Sequence, residues 1–314
     1  MNKLAYILSG LLLVQLIMSE ALYWNRQQEK HKEVDVQQAL LFSDVRALDK
    51  FQIQEGDKKL TLQKNGQGWV LAETQLPVDK AKMDGLLAKL ETLNGGWPVT
   101  STAASHERFE VTKKRYQRHV TLYQGDAVKA DFYLGSSPGF RKVHLRKLDK
   151  DAVYAVALNV FEFPVRQDEW LDKRLLAVEG LKRIETSDYQ LEKQQSAWVL
   201  NSSPQASLNQ TRATDLATAF ENLRVTGRIE HADAEQGSGD QSMNIKVNND
   251  AGEWSYSFVR LGSTYAVKRS DMSYYFGLPE SDYQRFVSVT AASLQENDPV
   301  APVPAAKAAP EGDQ

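Results

Sequence analysis

The chain has 314 residues, 42% hydrophobic and 25% charged, with a net charge of −3 and no cysteine. That length holds two domains with real cores. The charge argues against a dedicated nucleic-acid binder, and the missing cysteine excludes disulfides, thiolate metal sites and cysteine nucleophiles.

The run from Leu4 to Met18, followed by Ser19-Glu20-Ala21-Leu22-Tyr23-Trp24, is the most apolar stretch of the chain. The 21 residues from Leu4 to Trp24 make about 31 Å of helix, enough for a hydrocarbon core of roughly 30 Å. Residues 1–24 are therefore expected to form a transmembrane signal anchor, with Tyr23 and Trp24 at the interface. The competing reading is a cleaved signal peptide, because Ser19-Glu20-Ala21 imitates a cleavage site. Glu20 inside that site and the aromatic pair after it favour retention. Lys3 points to an inside N-terminus, while Arg26, Lys30 and Lys32 argue weakly the other way. The expected location is the bacterial inner membrane, single-pass, with the bulk of the chain in the periplasm. Residues 25–39 are polar and read as a stalk.

A first α+β unit is expected over residues 40–165. Phe51 and Ile53, Leu60 and Leu62, then Trp69 and Leu71 suggest three short strands with turns at Gly56-Asp57 and Asn65-Gly66. Asp79 can cap a helix whose stripe is Met83, Leu86, Leu87, Leu90 and Leu93. Alternation then predicts strands at 119–123, 130–134, 142–146 and 153–156.

A second unit is expected over residues 166–294, because the chain repeats itself. Leu62-Gln-Lys-Asn-Gly-Gln-Gly-Trp69-Val-Leu71 returns as Leu191-Glu-Lys-Gln-Gln-Ser-Ala-Trp198-Val-Leu200. Leu86, Leu90 and Leu93 return as Leu216, Phe220 and Leu223. A helix at 211–223 and strands at 243–247, 254–260 and 265–268 follow. Residues 235–240 read as a loop, and 295–314 as a disordered Ala/Pro tail. The fold class is thus α+β: an N-terminal transmembrane helix, then two tandem repeated units of antiparallel strands with one amphipathic helix each.

Reactive constellations are scarce. Gly135-Ser136-Ser137-Pro138-Gly139 fits G-x-S-x-G, but the elbow needs a helix after the serine. Pro138 and a following strand predict a plain connection instead. The five histidines show no metal spacing, although His119 and His144 could meet across a sheet. No cofactor and no catalytic residue is expected. Trp69 and Trp198 are expected in the cores, with a carbohydrate platform as the alternative.

Residues 105–150 carry eleven Lys and Arg against five Asp and Glu, a local balance of +6. Lys142, His144 and Arg146 fall on one face of a predicted strand and are the candidate partner-binding residues. Such a surface suits anionic lipid, anionic glycan or an acidic protein. A solvated sheet face accounts for the same pattern.

Several segments occur in a telling order: Gly68-Trp-Val-Leu71, Leu76-Pro-Val-Asp79, Leu134-Gly-Ser-Ser-Pro-Gly139, His144-Leu-Arg146, Val153-Tyr-Ala-Val156 and Trp170-Leu-Asp-Lys-Arg-Leu-Leu176. In that order they resemble the bacterial domain-of-unknown-function 4340 family. One departure is Phe109-Glu110-Val111, where the family typically shows Gly-Leu. The resemblance implies a membrane-anchored extracytoplasmic protein without catalytic residues, of a kind often associated with gliding-type ABC transport systems. The reading is a non-enzymatic scaffold or accessory protein, auxiliary to an ABC transport system. Its partners would be the inner membrane and another membrane or periplasmic protein such as a transporter subunit, and no nucleic acid. The alternative is a periplasmic ligand- or glycan-binding module using a cleft between the units.

Overall fold

The computed structural model describes residues 15, 18–20, 40–201, 207–229 and 242–295. The expected stalk, the 235–240 loop, the tail beyond 295 and all but four positions of the expected anchor lie outside these residues. Among the described residues no helix is long and apolar enough to cross a membrane. The chain divides into two compact units, residues 1–172 and 173–314.

Unit 1 is a seven-stranded antiparallel sheet in the order β3-β2-β1-β4-β5-β6-β7. The strands are β1 (Lys50–Glu55), β2 (Lys58–Asn65), β3 (Gly68–Leu71), β4 (Arg118–Gln124), β5 (Ala127–Leu134), β6 (Val143–Lys147) and β7 (Val153–Val156). Period-two alternation gives one face its apolar layer: Phe51 and Ile53, Leu60 and Leu62, Val120 and Leu122, Phe132 and Leu134, and Leu145 are all buried. Helix α1 (Lys80–Glu91) turns Met83, Leu86, Leu87 and Leu90 inward. Its cap is Asp79, whose carboxylate accepts from Lys82 N at 2.9 Å.

The β2–β3 turn sits one residue later than the Asn-Gly pattern suggests. Asn65 stays in the strand opposite Gly68. Its Oδ1 accepts from Gln67 N at 2.9 Å and from Gly68 N at 3.0 Å. An Asx turn has replaced the hairpin in which Asn itself occupies the bend.

Unit 2 repeats the topology strand for strand, β10-β9-β8-β11-β12-β13-β14. Its strands are β8 (Arg183–Glu185), β9 (Gln190–Gln194), β10 (Ala197–Leu200), β11 (Ser242–Asn249), β12 (Gly252–Leu261), β13 (Thr264–Arg269) and β14 (Phe276–Leu278). Helix α2 (Gln210–Glu221) buries Leu216 and Phe220. Even the cap recurs, with Asn209 Oδ1 accepting from Arg212 N at 3.1 Å. The Phe220 ring packs on Tyr256, Phe258 and Phe286 at 4.8–6.4 Å.

Two expectations need correction. Unit 2 has a second helix, α3 (Glu280–Val287), which buries Tyr283 and Phe286. Two inward residues in eight are too few to register as a stripe. The unit boundary also lies after Asp172 rather than after residue 165. Trp170 is fully buried in unit 1, its indole N–H donating to Pro164 O at 2.8 Å. Asp79 N donates to Trp170 O and Asp172 N to Pro77 O, which stitches this segment to the entrance of α1.

Candidate functional site: the basic face and the tryptophan edge of unit 1

The basic stretch folds into β4–β7 and the segment before them. The register brings His119, Tyr133, Arg146 and Val153 into one cross-strand row. Both sheet faces of unit 1 are covered here. Residues 103–117 lie over this second face, where Val111, Tyr133 and Val153 form a small core with Phe109 and Tyr116 packed against it. Gly135 permits the close approach: a Cβ there would sit 2.0 Å from the Phe109 carbonyl oxygen. Glu110 holds φ 57° in this cover, the left-handed region that glycine enters freely. The chain thus makes its turn with a glutamate where the resemblance suggests glycine.

The cover corrects the solvent-facing reading of the candidate residues. His144 is 6% exposed, with Phe109 tilted over its ring at 4.5 Å and Ser136 Oγ 3.1 Å from Nδ1. Burial lowers its pKa from the ordinary value. Arg146 is half-buried over the Tyr133 ring. Its Nε donates to Val111 O at 2.8 Å, and Nη1 to Lys150 O at 3.1 Å and Lys147 O at 3.3 Å. A guanidinium so engaged clamps the cover down. Lys142 alone of the three is exposed.

His119 and His144 do not share a row. His119 Nε2 is 2.6 Å from Asp131 Oδ1, and Thr121 Oγ1 donates to the same oxygen at 3.3 Å. The Tyr133 ring lies 4.7 Å from His119 and stacks on Tyr116 at 5.2 Å. Burial first, then Asp131, raises the Tyr133 pKa. His119, Thr121 and Asp131 thus satisfy one another within the sheet.

What the basic stretch does expose is a turn. Between β5 and β6 the chain runs out along residues 135–142, whereas unit 2 joins β12 to β13 with Gly262-Ser263 alone. Lys142 N donates to Gly139 O at 3.3 Å. Phe140 at the tip is 86% exposed, with the Arg141 guanidinium over its ring at 4.8 Å. Ser137 Oγ lies 2.8 Å and 2.7 Å from the carbonyl oxygens of Gly139 and Lys142 and accepts from Gly139 N at 3.3 Å. It therefore closes the turn, and a strand follows it. The elbow that a serine nucleophile requires is not built here.

The repeated tryptophans part company. Trp198 is 4% exposed. Trp69 is half-buried, propped edge-on against Phe51 at 5.3 Å and 80°. Beside it opens a cavity of about 430 Å³. The core expectation thus describes Trp198 and overstates Trp69.

Residues 69–239 match the model of a family described as domain of unknown function (DUF4340). The chain belongs to the DUF4340 family. The DUF4340 match opens at Trp69 itself and takes in α1, β4–β7, the β8–β10 strands and α2, so it straddles the two units. No curated protein and no solved structure matches the chain.

Proposed function

We propose that this DUF4340 member is a non-enzymatic accessory protein. Residues 1–24 hold it in the bacterial inner membrane, its units lie in the periplasm, and unit 1 binds another membrane or periplasmic protein, foremost a subunit of an ABC transport system. The observation that carries the partner-binding part is the exposed Phe140-Arg141-Lys142 turn. An aromatic ring beside two exposed cations suits an acidic protein surface with an apolar notch. The histidines and Arg146 behind that turn support the reading by contrast, since their polar atoms hold the fold together. The apolar run to Trp24 supports the anchor.

Two experiments test this. Alkaline carbonate should leave the full-length protein in the membrane, and protease added to spheroplasts should digest both units. Release by carbonate or protection from the protease would overturn the anchored, periplasmic reading. Purified in mild detergent, the protein should co-migrate with its transporter subunits at low salt. The Arg141→Glu/Lys142→Glu pair should lose that co-migration with its melting temperature unchanged, and equal co-migration of pair and parent would discard the turn as the contact.

A further inference from the structure

The two copies of the Trp-Val-Leu strand are edge strands of their sheets, and the chain finishes them differently. In unit 2, Gln210 lies along the edge. Its Oε1 accepts from Trp198 N at 2.9 Å and its Nε2 donates to Trp198 O at 2.7 Å. The side-chain amide supplies the pair of bonds that another strand would make. In unit 1 the first residue of α1 is Lys80, which has no acceptor and pairs with Asp84 one turn on. The Trp69 carbonyl accepts from Val78 N at 2.9 Å. The Trp69 amide faces outward, away from β2, with no acceptor among the described residues. Gly68, where unit 2 has Ala197, holds φ 139°, a backbone that suits glycine.

The resulting cavity has the size of a small-molecule site. Its wall is Trp69, Pro77, Val78 and Leu87. Its rim carries both donors and acceptors: Gln67, Lys64, Arg46, Asp84 and Asp172. Asp84 answers Lys80. Lys64 has no ion-pair partner among the described residues. Arg46 meets Glu91 through Nε and Nη2, at 3.0 Å and 2.9 Å, so its Nη1 donors remain. Two cations of the lining thus keep donors free.

We propose that this cavity binds an acidic saccharide, a pyranose ring carrying a carboxylate. The indole offers an apolar face to the C–H side of the ring. Gln67, Asp84 and Asp172 alternate as partners for hydroxyl groups. Lys64 and Arg46 take the carboxylate with charge-assisted bonds. A wholly apolar ligand would strand those cations, and a bare inorganic anion would leave the indole unused. Unit 2 is not expected to bind the same ligand, because Gln210 holds the corresponding edge. The site lies within unit 1 and does not depend on the accessory reading above.

The test is saturation-transfer NMR and titration calorimetry on the full-length protein in detergent, with methyl glucuronide, methyl glucoside and benzoate as probes. Methyl glucuronide should bind saturably and at least tenfold more tightly than either of the others. Trp69→Ala should weaken it at least tenfold. So should Lys80→Gln, which gives unit 1 the amide that caps the edge in unit 2, while Trp198→Phe leaves it unchanged. Lys64→Gln, at an exposed site that the fold does not use, should erase the preference for glucuronide over glucoside. The proposal is overturned by absent or non-saturable glucuronide binding, by benzoate binding as tightly, by affinity that survives Lys80→Gln, or by a preference over glucoside that survives Lys64→Gln.

Discussion

Unit 1 and unit 2 share seven strands in one order, a helix in one place and a cap of one geometry, yet they finish their surfaces in opposite ways. Unit 2 seals its first edge with Gln210 and joins β12 to β13 through Gly262-Ser263. Unit 1 pairs its first edge with residues 76–78, through Val78 N to Trp69 O and Leu71 N to Leu76 O, leaves the Trp69 amide uncapped beside a cavity, and extends the β5–β6 connection to a tip at Phe140. Core positions recur because any loss there costs packing. Edges and turns are free to differ.

The tryptophans offer the largest contrast. Trp198→Ala should destabilise unit 2 by about 3–5 kcal/mol. Trp69→Ala should cost unit 1 only about 1–2 kcal/mol, since part of the indole already meets water. Urea unfolding followed by amide probes in each unit measures both, and equal losses would erase the distinction.

The paired glycines come next. Gly135 and Gly262 each end the longer strand of a hairpin, but for different reasons. At Gly135 a Cβ collides with the Phe109 backbone, so Gly135→Ala should lift the cover and cost about 3 kcal/mol. At Gly262 there is space but φ is 59°, so Gly262→Ala should cost about 1 kcal/mol in strain alone. Reversal of that order in thermal unfolding would show that the 103–117 segment does not pack as described.

Gln210 sharpens the edge comparison. Gln210→Ala leaves both polar groups of the Trp198 peptide without a protein partner and should cost about 1–3 kcal/mol. Lys80→Ala removes only an exposed helix pair and should change little.

The smallest effect is that of pH. Burial holds the His144 pKa below its ordinary 6.5. The unfolded chain therefore binds more protons in that range, so the contribution is full above about pH 6.5 and is lost as the pH falls from there through the lower folded pKa. Unit 1 should show this acid loss, and His144→Gln should flatten it. An unchanged slope in His144→Gln would mean that the imidazole is not held neutral by its cover.

Much of this architecture was legible in the residues. The repeat around Trp69 and Trp198, the two stripes ending at Leu93 and Leu223, and the Asp79 cap are local patterns with a fixed period. The direction of His144 and Arg146 was not legible. Alternation along β6 separates two faces but does not say that both are covered. The cover itself, with Arg108, Lys113, Lys114 and Arg115 among its few apolar residues, reads as a polar loop. Helix α3 failed to register for want of length. The seal at Gln210 left no signal either, because a glutamine at the start of a helix is ordinary until the strand beside it is seen. At the candidate site, the basic balance of residues 105–150 pointed to the right strands. Only the folded chain separates the exposed Phe140-Arg141-Lys142 turn from the charges that hold unit 1 together.

The claim that Gln210 caps the Trp198 amide while the Trp69 amide is left uncapped is tested most directly by residue-resolved hydrogen exchange at these two backbone amides. The Trp198 N–H, held by Gln210, should exchange at least a hundredfold more slowly than the Trp69 N–H, and Gln210→Ala should bring the two together. Equal protection at Trp69 and Trp198 in the unaltered protein would contradict the account.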